Sequence, residues 1–272
     1  MSPNAFSACH PTIINIANQT AIISGVIGTG LTDPYLKLDW AKRHLKLLDR
    51  YLRVFHKSNP CRFSSKDDLE NQRHILRVDL DDVPDHIPLR CGDAFYCMRS
   101  SLDQLVWRLA KINVVIPDRR VQFPIIETWD DDTRGRFKVQ LTDVPADAIA
   151  IIRSLQPAEG SGPFEDHLLW RLNAMCNLDK HRRIPANGSE VKFHLPTPPS
   201  TVSFEAFDNY GIFSVPLADK AKLNLHPEVT FKVVFGDPTT RVALNPDDIG
   251  EIYKLISERV LPSFMRFFIQ KT

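Results

Sequence analysis

Four residues of this 272-residue chain have types and spacings suited to proton and phosphate chemistry: Arg99, Asp103, Asp179 and His181. An arginine fixes anionic oxygens through a planar fork of N–H donors, carboxylates orient a substrate, and a histidine exchanges a proton near neutral pH. The catalytic reading has Arg99 holding a phosphate, Asp103 and Asp179 orienting it and His181 transferring the proton, with Tyr96, Lys180 and Arg182 as substrate contacts. The same residue types also have a structural use. An ion-pair network between packed helices locks their register without catalysis, and a histidine in the run Lys180-His181-Arg182-Arg183 also serves as a cation at a helix C-terminus.

The elements that must position these groups are two helices. From about Leu89 to Ile112, Phe95, Met98, Leu102, Leu105 and Leu109 recur on a heptad stripe, which predicts a core helix. At about 100° per residue, Gly92, Tyr96, Arg99 and Asp103 form one line beside that seam. Gly92 is costly inside a helix, so it marks either the helix end or a close approach of another group. Asp93 lies off the line and helps the helix dipole if the helix starts near it. A second helix, from about Phe164 to Lys180, buries Leu168, Leu172, Met175 and Cys176, and Asp179 falls on the same line, pointing inward. A carboxylate aimed at a core needs a partner, and Arg99 is the expected one.

Around this pair the chain reads as α+β: a bundle-like helical core, an inserted antiparallel β-meander and a closing C-terminal helix. Residues 1–34 are expected to be an arm and 35–272 a single domain, mainly helical over 35–185, β-rich over 186–244 and closed by a helix over 245–270. Leu38, Ala41, Leu45, Leu48, Leu52 and Phe55 place an amphipathic helix over Tyr35–Lys57, ended by Asn59-Pro60. Arg73–Leu80 alternates as a strand, Asp81–Pro88 reads as a turn, and Asp131–Val139 and Ala146–Leu155 read as short helices. Val191–Leu195, Val202–Phe207, Gly211–Pro216 and Val229–Phe235 supply the meander. Asn245-Pro246-Asp247-Asp248 is a strong helix start, and Ile252, Ile256, Val260, Phe264 and Phe267 carry the apolar face of a helix kinked at Pro262.

Composition removes several classes of function. With 34 Lys and Arg against 33 Asp and Glu the net charge is +1, too small to predict electrostatic capture of DNA or a membrane. The five cysteines, Cys9, Cys61, Cys91, Cys97 and Cys176, form no C-x-x-C pair, which fits a reducing cytoplasm and argues against a thiolate zinc site. Ile13–Ile27 is apolar but broken by Asn15, Asn18, Gln19 and Thr20, a poor leader and too polar to span a bilayer. Gly25–Gly30 lacks the G-K-[ST] ending of a phosphate loop, and neither H-E-x-x-H nor G-x-S-x-G occurs. No metal or cofactor is expected, no cysteine has a catalytic setting, and Trp107, Trp129 and Trp170 read as packing aromatics.

The run Gly92-Asp93-Ala94-Phe95-Tyr96-Cys97-Met98-Arg99-Ser100-Ser101-Leu102-Asp103-Gln104-Leu105, with Phe123-Pro124-Ile125, Leu155-Gln156-Pro157 and Asn177-Leu178-Asp179-Lys180-His181-Arg182, resembles a family of uncharacterised bacterial proteins. That family has the pattern G-D-x-L-H-N-L-R-S-A-L-D-H-L and later N-x-D-K-H-R. The resemblance runs from about Leu38 onward. Its arginine and the histidine five positions later are similar to the R-x4-6-H motif of HEPN-type ribonucleases, helical proteins common in toxin–antitoxin and antiphage systems. The resemblance implies an RNA or nucleotide ligand, a role in defence or stress response, and metal-independent cleavage in which histidine assists the ribose 2′-hydroxyl and arginine stabilises the phosphate; beside it, a homodimer is one assembly the chain is expected to allow. Tyr96, Cys97 and Gln104 stand where the family has His, Asn and His. Glutamine takes no proton near neutral pH, so either His181 supplies the base from the other helix, or this copy has lost activity, or the family is not enzymatic. The rival reading is a non-catalytic interaction domain in which Arg99, Asp103 and Asp179 form a buried network.

Overall fold

In the computed structural model, which describes residues 30–194, 203–206, 210–223, 228–237 and 242–269, the apolar spacing of the first helix runs its full length. This helix, α1, is Thr32–Lys57, and Leu38, Ala41, Leu45, Leu48 and Leu52 on its inner face are at most 2 % exposed. It begins before Tyr35. Leu31 is buried, and the buried Ser101 hydroxyl donates to the Pro34 carbonyl at 2.8 Å. Residues 30–34 therefore belong to the helical core rather than to an arm, and the rest of the expected arm, 1–29, lies outside the described residues.

The second helix, α2, is His86–Ala110 and packs along α1. Its seam is as expected: Phe95, Met98, Leu102, Leu105 and Leu109 are all fully buried. It starts three residues before Leu89, because Pro88 falls in the first turn, where a missing N–H leaves no hydrogen bond unmade. Asp93 is thus well inside the helix, beside Arg90 (3.2 Å) and His44 (3.5 Å), and does not mark its start. Two short helices follow, α3 (Asp131–Gln140) and α4 (Ala146–Ser154), and then α5 (Leu168–His181), entered through a single 3-10 turn at Phe164–Asp166. One apolar core takes in Leu102 and Leu105 of α2, Ile152 of α4, Leu172 and Met175 of α5, and Ile252 and Ile256 further on.

The long connection from α2 to α3 carries buried backbone without a ladder to satisfy it, so side chains do the work. The buried Gln156 amide accepts from the Ile126 N–H at 3.0 Å and donates to the Ile152 carbonyl at 2.8 Å, while the Ala158 N–H bonds the Ile126 carbonyl.

The antiparallel segment is present, but its strands are shared between two sheets. One has the order β1 (Cys61–Asp68), β2 (Arg73–Leu80), β5 (Tyr210–Pro216), β4 (Ser203–Ala206); the other runs β3 (Ala186–His194), β6 (Glu228–Asp237), β7 (Val242–Leu244). β2 aligns Arg73 with Pro216 and Asp79 with Tyr210, a pairing across the helical region that sequence proximity does not suggest. β1 escaped the sequence reading because Ser64-Ser65-Lys66-Asp67 is polar on both faces; it is an exposed strand that, among the described residues, pairs only with β2.

The closing helix, α6 (Pro246–Lys254), begins as its sequence demands. Asn245 accepts from the N–H groups of Asp247 and Asp248, and Asp248 accepts from the Asn245 N–H, a reciprocal capping box. Pro262 perturbs it by widening rather than bending alone. Leu255–Val260 is a π turn in which the Leu261 N–H reaches back five residues to Ile256, and only Leu261–Ser263 returns to α geometry.

Candidate functional site

The sequence line Gly92, Tyr96, Arg99, Asp103 faces α5 across an open polar cleft of about 340 Å³. α2 contributes Tyr96, Arg99, Ser100 and Asp103; α5 contributes Asn173, Asn177, Asp179 and Lys180; Arg136 and Gln140 come from α3.

Arg99 and Asp103 are committed to one another and to a loop. Arg99 Nη2 donates to the Phe123 carbonyl at 2.6 Å and sits 3.1 Å from Asp103 Oδ1, which itself accepts from the Phe123 N–H at 3.0 Å. Both polar groups of one buried residue are thereby held by two side chains one helical turn apart. Burial pushes the Asp103 carboxyl above the usual range, opposed by the Arg99 charge, the Phe123 N–H and the Lys180 ammonium. Arg99 keeps one group in reserve: its Nη1 is buried and, among the described residues, has no hydrogen-bond partner.

Asp179 does not pair with Arg99. Among the described residues it makes neither an ion pair nor a hydrogen bond, so the expected α2–α5 salt bridge is corrected. Phe123 explains the outcome: its carbonyl and the Asp103 carboxylate both engage Arg99 Nη2, and Asp103 also accepts from the Phe123 N–H. Asp179 instead lies against the bare backbone of Gly92: a Cβ there would stand 2.5 Å from one carboxylate oxygen and 2.7 Å from the other. The glycine marks a close approach, not a helix end. Burial, then the Asp93 carboxylate, raises the Asp179 carboxyl above its ordinary value.

His181 is the last residue of α5, exposed, and does not line the cleft. Two residues beyond Asp179 means about 200° around the helix, so a side chain there points away when Asp179 points in. Arg182, likewise expected to touch substrate, leaves the helix in extended backbone with φ −161° and is also outside the lining, whereas Lys180 and the 59 % exposed Tyr96 are part of it. Arg183 turns to Asp85 at 2.5 Å.

Sequence reading missed Arg136 and Gln140. Their spacing of four on α3 puts them on one face, a signal present but indistinguishable from an ordinary solvated face until α3 is docked. Gln140 Oε1 is buried without a hydrogen-bond partner among the described residues, and the Gln140 backbone carbonyl accepts from the Gln122 N–H at 3.1 Å, tying α3 to the same loop.

Cys176 also touches the cleft, but burial pushes its thiol up to about 12, the wrong direction for a nucleophile. Among the described residues no group of three His, Cys, Asp or Glu is placed to hold a metal ion, and no helix is long and apolar enough to cross a membrane. Compared with protein-family models, curated proteins and solved structures, the chain matches none.

Proposed function

We propose that this protein binds the phosphate of an RNA or nucleotide ligand in the cleft between α2, α3 and α5. The observation that carries the reading is the buried Arg99 Nη1, a charged donor without a hydrogen-bond partner among the described residues, in a cleft whose other walls hold Arg136 and Lys180. Buried charged donors left unpaired are costly, and an anion is the ligand that satisfies one. Three cations there, Arg99, Arg136 and Lys180, face two carboxyls, Asp103 and Asp179. The resemblance to HEPN-type ribonucleases supports the nucleotide class and is the basis for a bacterial role in defence or stress response.

Cleavage would need a proton acceptor at the phosphate, and the cleft offers Asp179 for that role rather than His181. A second reading has its own support. The Phe123 clamp gives Arg99 and Asp103 a structural duty, as an interaction domain with a locked core requires. It leaves Asp179, Lys180 and Arg136 unexplained.

The test is calorimetric titration of the whole chain with inorganic phosphate, beside the Arg136→Ala/Lys180→Ala double variant, which leaves the clamp intact. Binding by the wild type and its loss in the double variant supports the proposal; equal heats for both proteins remove it.

A further inference from the structure

We infer that the cleft takes a single nucleoside monophosphate, held at its phosphate by Arg99, Arg136 and Lys180 and at its nucleoside by Gln140 and Asp179. This rests on the phosphate reading above and narrows it.

The argument starts from two buried atoms of opposite character. Arg99 Nη1 can only donate, Gln140 Oε1 can only accept, both belong to cleft residues, and neither has a hydrogen-bond partner among the described residues. A phosphate satisfies the first. The phosphate of a monoester, a dianion above its second pKa of about 6, cannot satisfy the second, because its oxygens then only accept and would face the carbonyl oxygen of Gln140 with like polarity. Asp179 adds a second acceptor that has no hydrogen bond among the described residues. The ligand that relieves all three therefore carries both acceptor oxygens and O–H or N–H donors. Ribose hydroxyls and the amino edge of a base are such donors.

Size and surface agree. A volume of about 340 Å³ is at the small end of the roughly 300–1,000 Å³ typical of ligand pockets, room for one nucleotide rather than several successive ones. Tyr96 is 59 % exposed on the cleft wall, with the Lys37 ammonium 5.4 Å from its ring centroid, and an exposed aromatic ring is a surface on which a base can stack. The near-neutral total charge fits a small ligand better than a long polyanion, which is captured by a run of cations.

The decisive measurement is titration of the intact chain with inorganic phosphate, ribose 5-phosphate, adenosine monophosphate, uridine monophosphate and a single-stranded RNA of about ten nucleotides, enough to fill a strand-binding groove. The better monophosphate should bind at least about tenfold more tightly than phosphate, and Gln140→Leu should bring that ratio close to one. Thermal melting of the Gln140→Leu protein checks that its fold persists, and Gln140→Glu, which keeps an acceptor, should retain part of the preference. Phosphate binding with no preference for either monophosphate overturns this inference and leaves the phosphate site standing. So does ribose 5-phosphate binding as tightly as the nucleotides, RNA binding more tightly than both, or a ratio untouched by Gln140→Leu. Absence of binding by phosphate and every other probe removes both readings together.

Discussion

The two helices that wall the cleft use their charged residues in opposite ways. On α2, Arg99 and Asp103 are bound to each other and to both polar groups of Phe123. On α5, Asp179 and Lys180 meet the cleft with no hydrogen bond or ion pair among the described residues. Charged residues beside a core thus divide into those that hold backbone in place and those left available to a ligand, and residue type does not tell them apart. The immediate neighbours do: an irregular peptide unit beside α2, and the side-chain-free surface of Gly92 opposite α5.

The largest effect should come from breaking the held side. Asp103→Ala leaves the Phe123 N–H without its acceptor and the Arg99 charge without its partner, with an expected loss of about 2–3 kcal/mol in chemical denaturation. A loss below about 0.5 kcal/mol would class this pair with ordinary surface ion pairs and erase the contrast between the helices.

Next is the contact that positions the free side. Gly92→Ala puts a methyl group 2.5 Å from the Asp179 carboxylate, so it should destabilise by about 1–3 kcal/mol despite the better helix propensity of alanine. In the Asp179→Ala background the same change should cost little, which a double-mutant cycle reads directly. A more stable Gly92→Ala single variant means the two helices do not approach this closely.

The pH dependence sharpens the comparison on both helices. Asp103 and Asp179 both have carboxyls raised by burial, so the folded chain holds protons that the unfolded chain has already released. Their contribution to stability is complete below the ordinary carboxylate range of about 4 and is lost as pH rises through the folded values. Asp179→Asn should flatten part of that decline in a series of melts from acid to neutral pH and should tighten phosphate binding at neutral pH. An identical pH profile for wild type and variant would show that Asp179 titrates as a solvated group.

The smallest effect is expected at the residue with the most suggestive chemistry. His181→Ala should change stability by no more than about 0.5 kcal/mol and leave phosphate titration unaltered. A substantial loss of binding would bring His181 back into the site from its exposed helix end.

Much of the scaffold was legible in the chain. The heptad seam of α2, the spacing on α1 and the Asn245-Pro246-Asp247-Asp248 start of α6 each express a preference that a helix satisfies from local sequence alone. The stripe Gly92, Tyr96, Arg99, Asp103 was legible for the same reason, as was the inward direction of Asp179. The motif pieces Phe123-Pro124-Ile125 and Leu155-Gln156-Pro157 stood out without an evident purpose, and the structure supplies one: the first is gripped by Arg99 and Asp103, and the second reaches Ile126 through Gln156.

Sequence periodicity therefore determined the helices, their buried faces and the residues that share a face, because each depends on groups within a turn or two of one another. Tertiary structure alone decided that β2 pairs with β5, that Arg99 takes Phe123 and Asp103 rather than Asp179, and that Arg136 and Gln140 complete the cleft. Those outcomes are competitions among groups distant in sequence for the same donors, acceptors and space, and they are resolved only when the helices and sheets are packed.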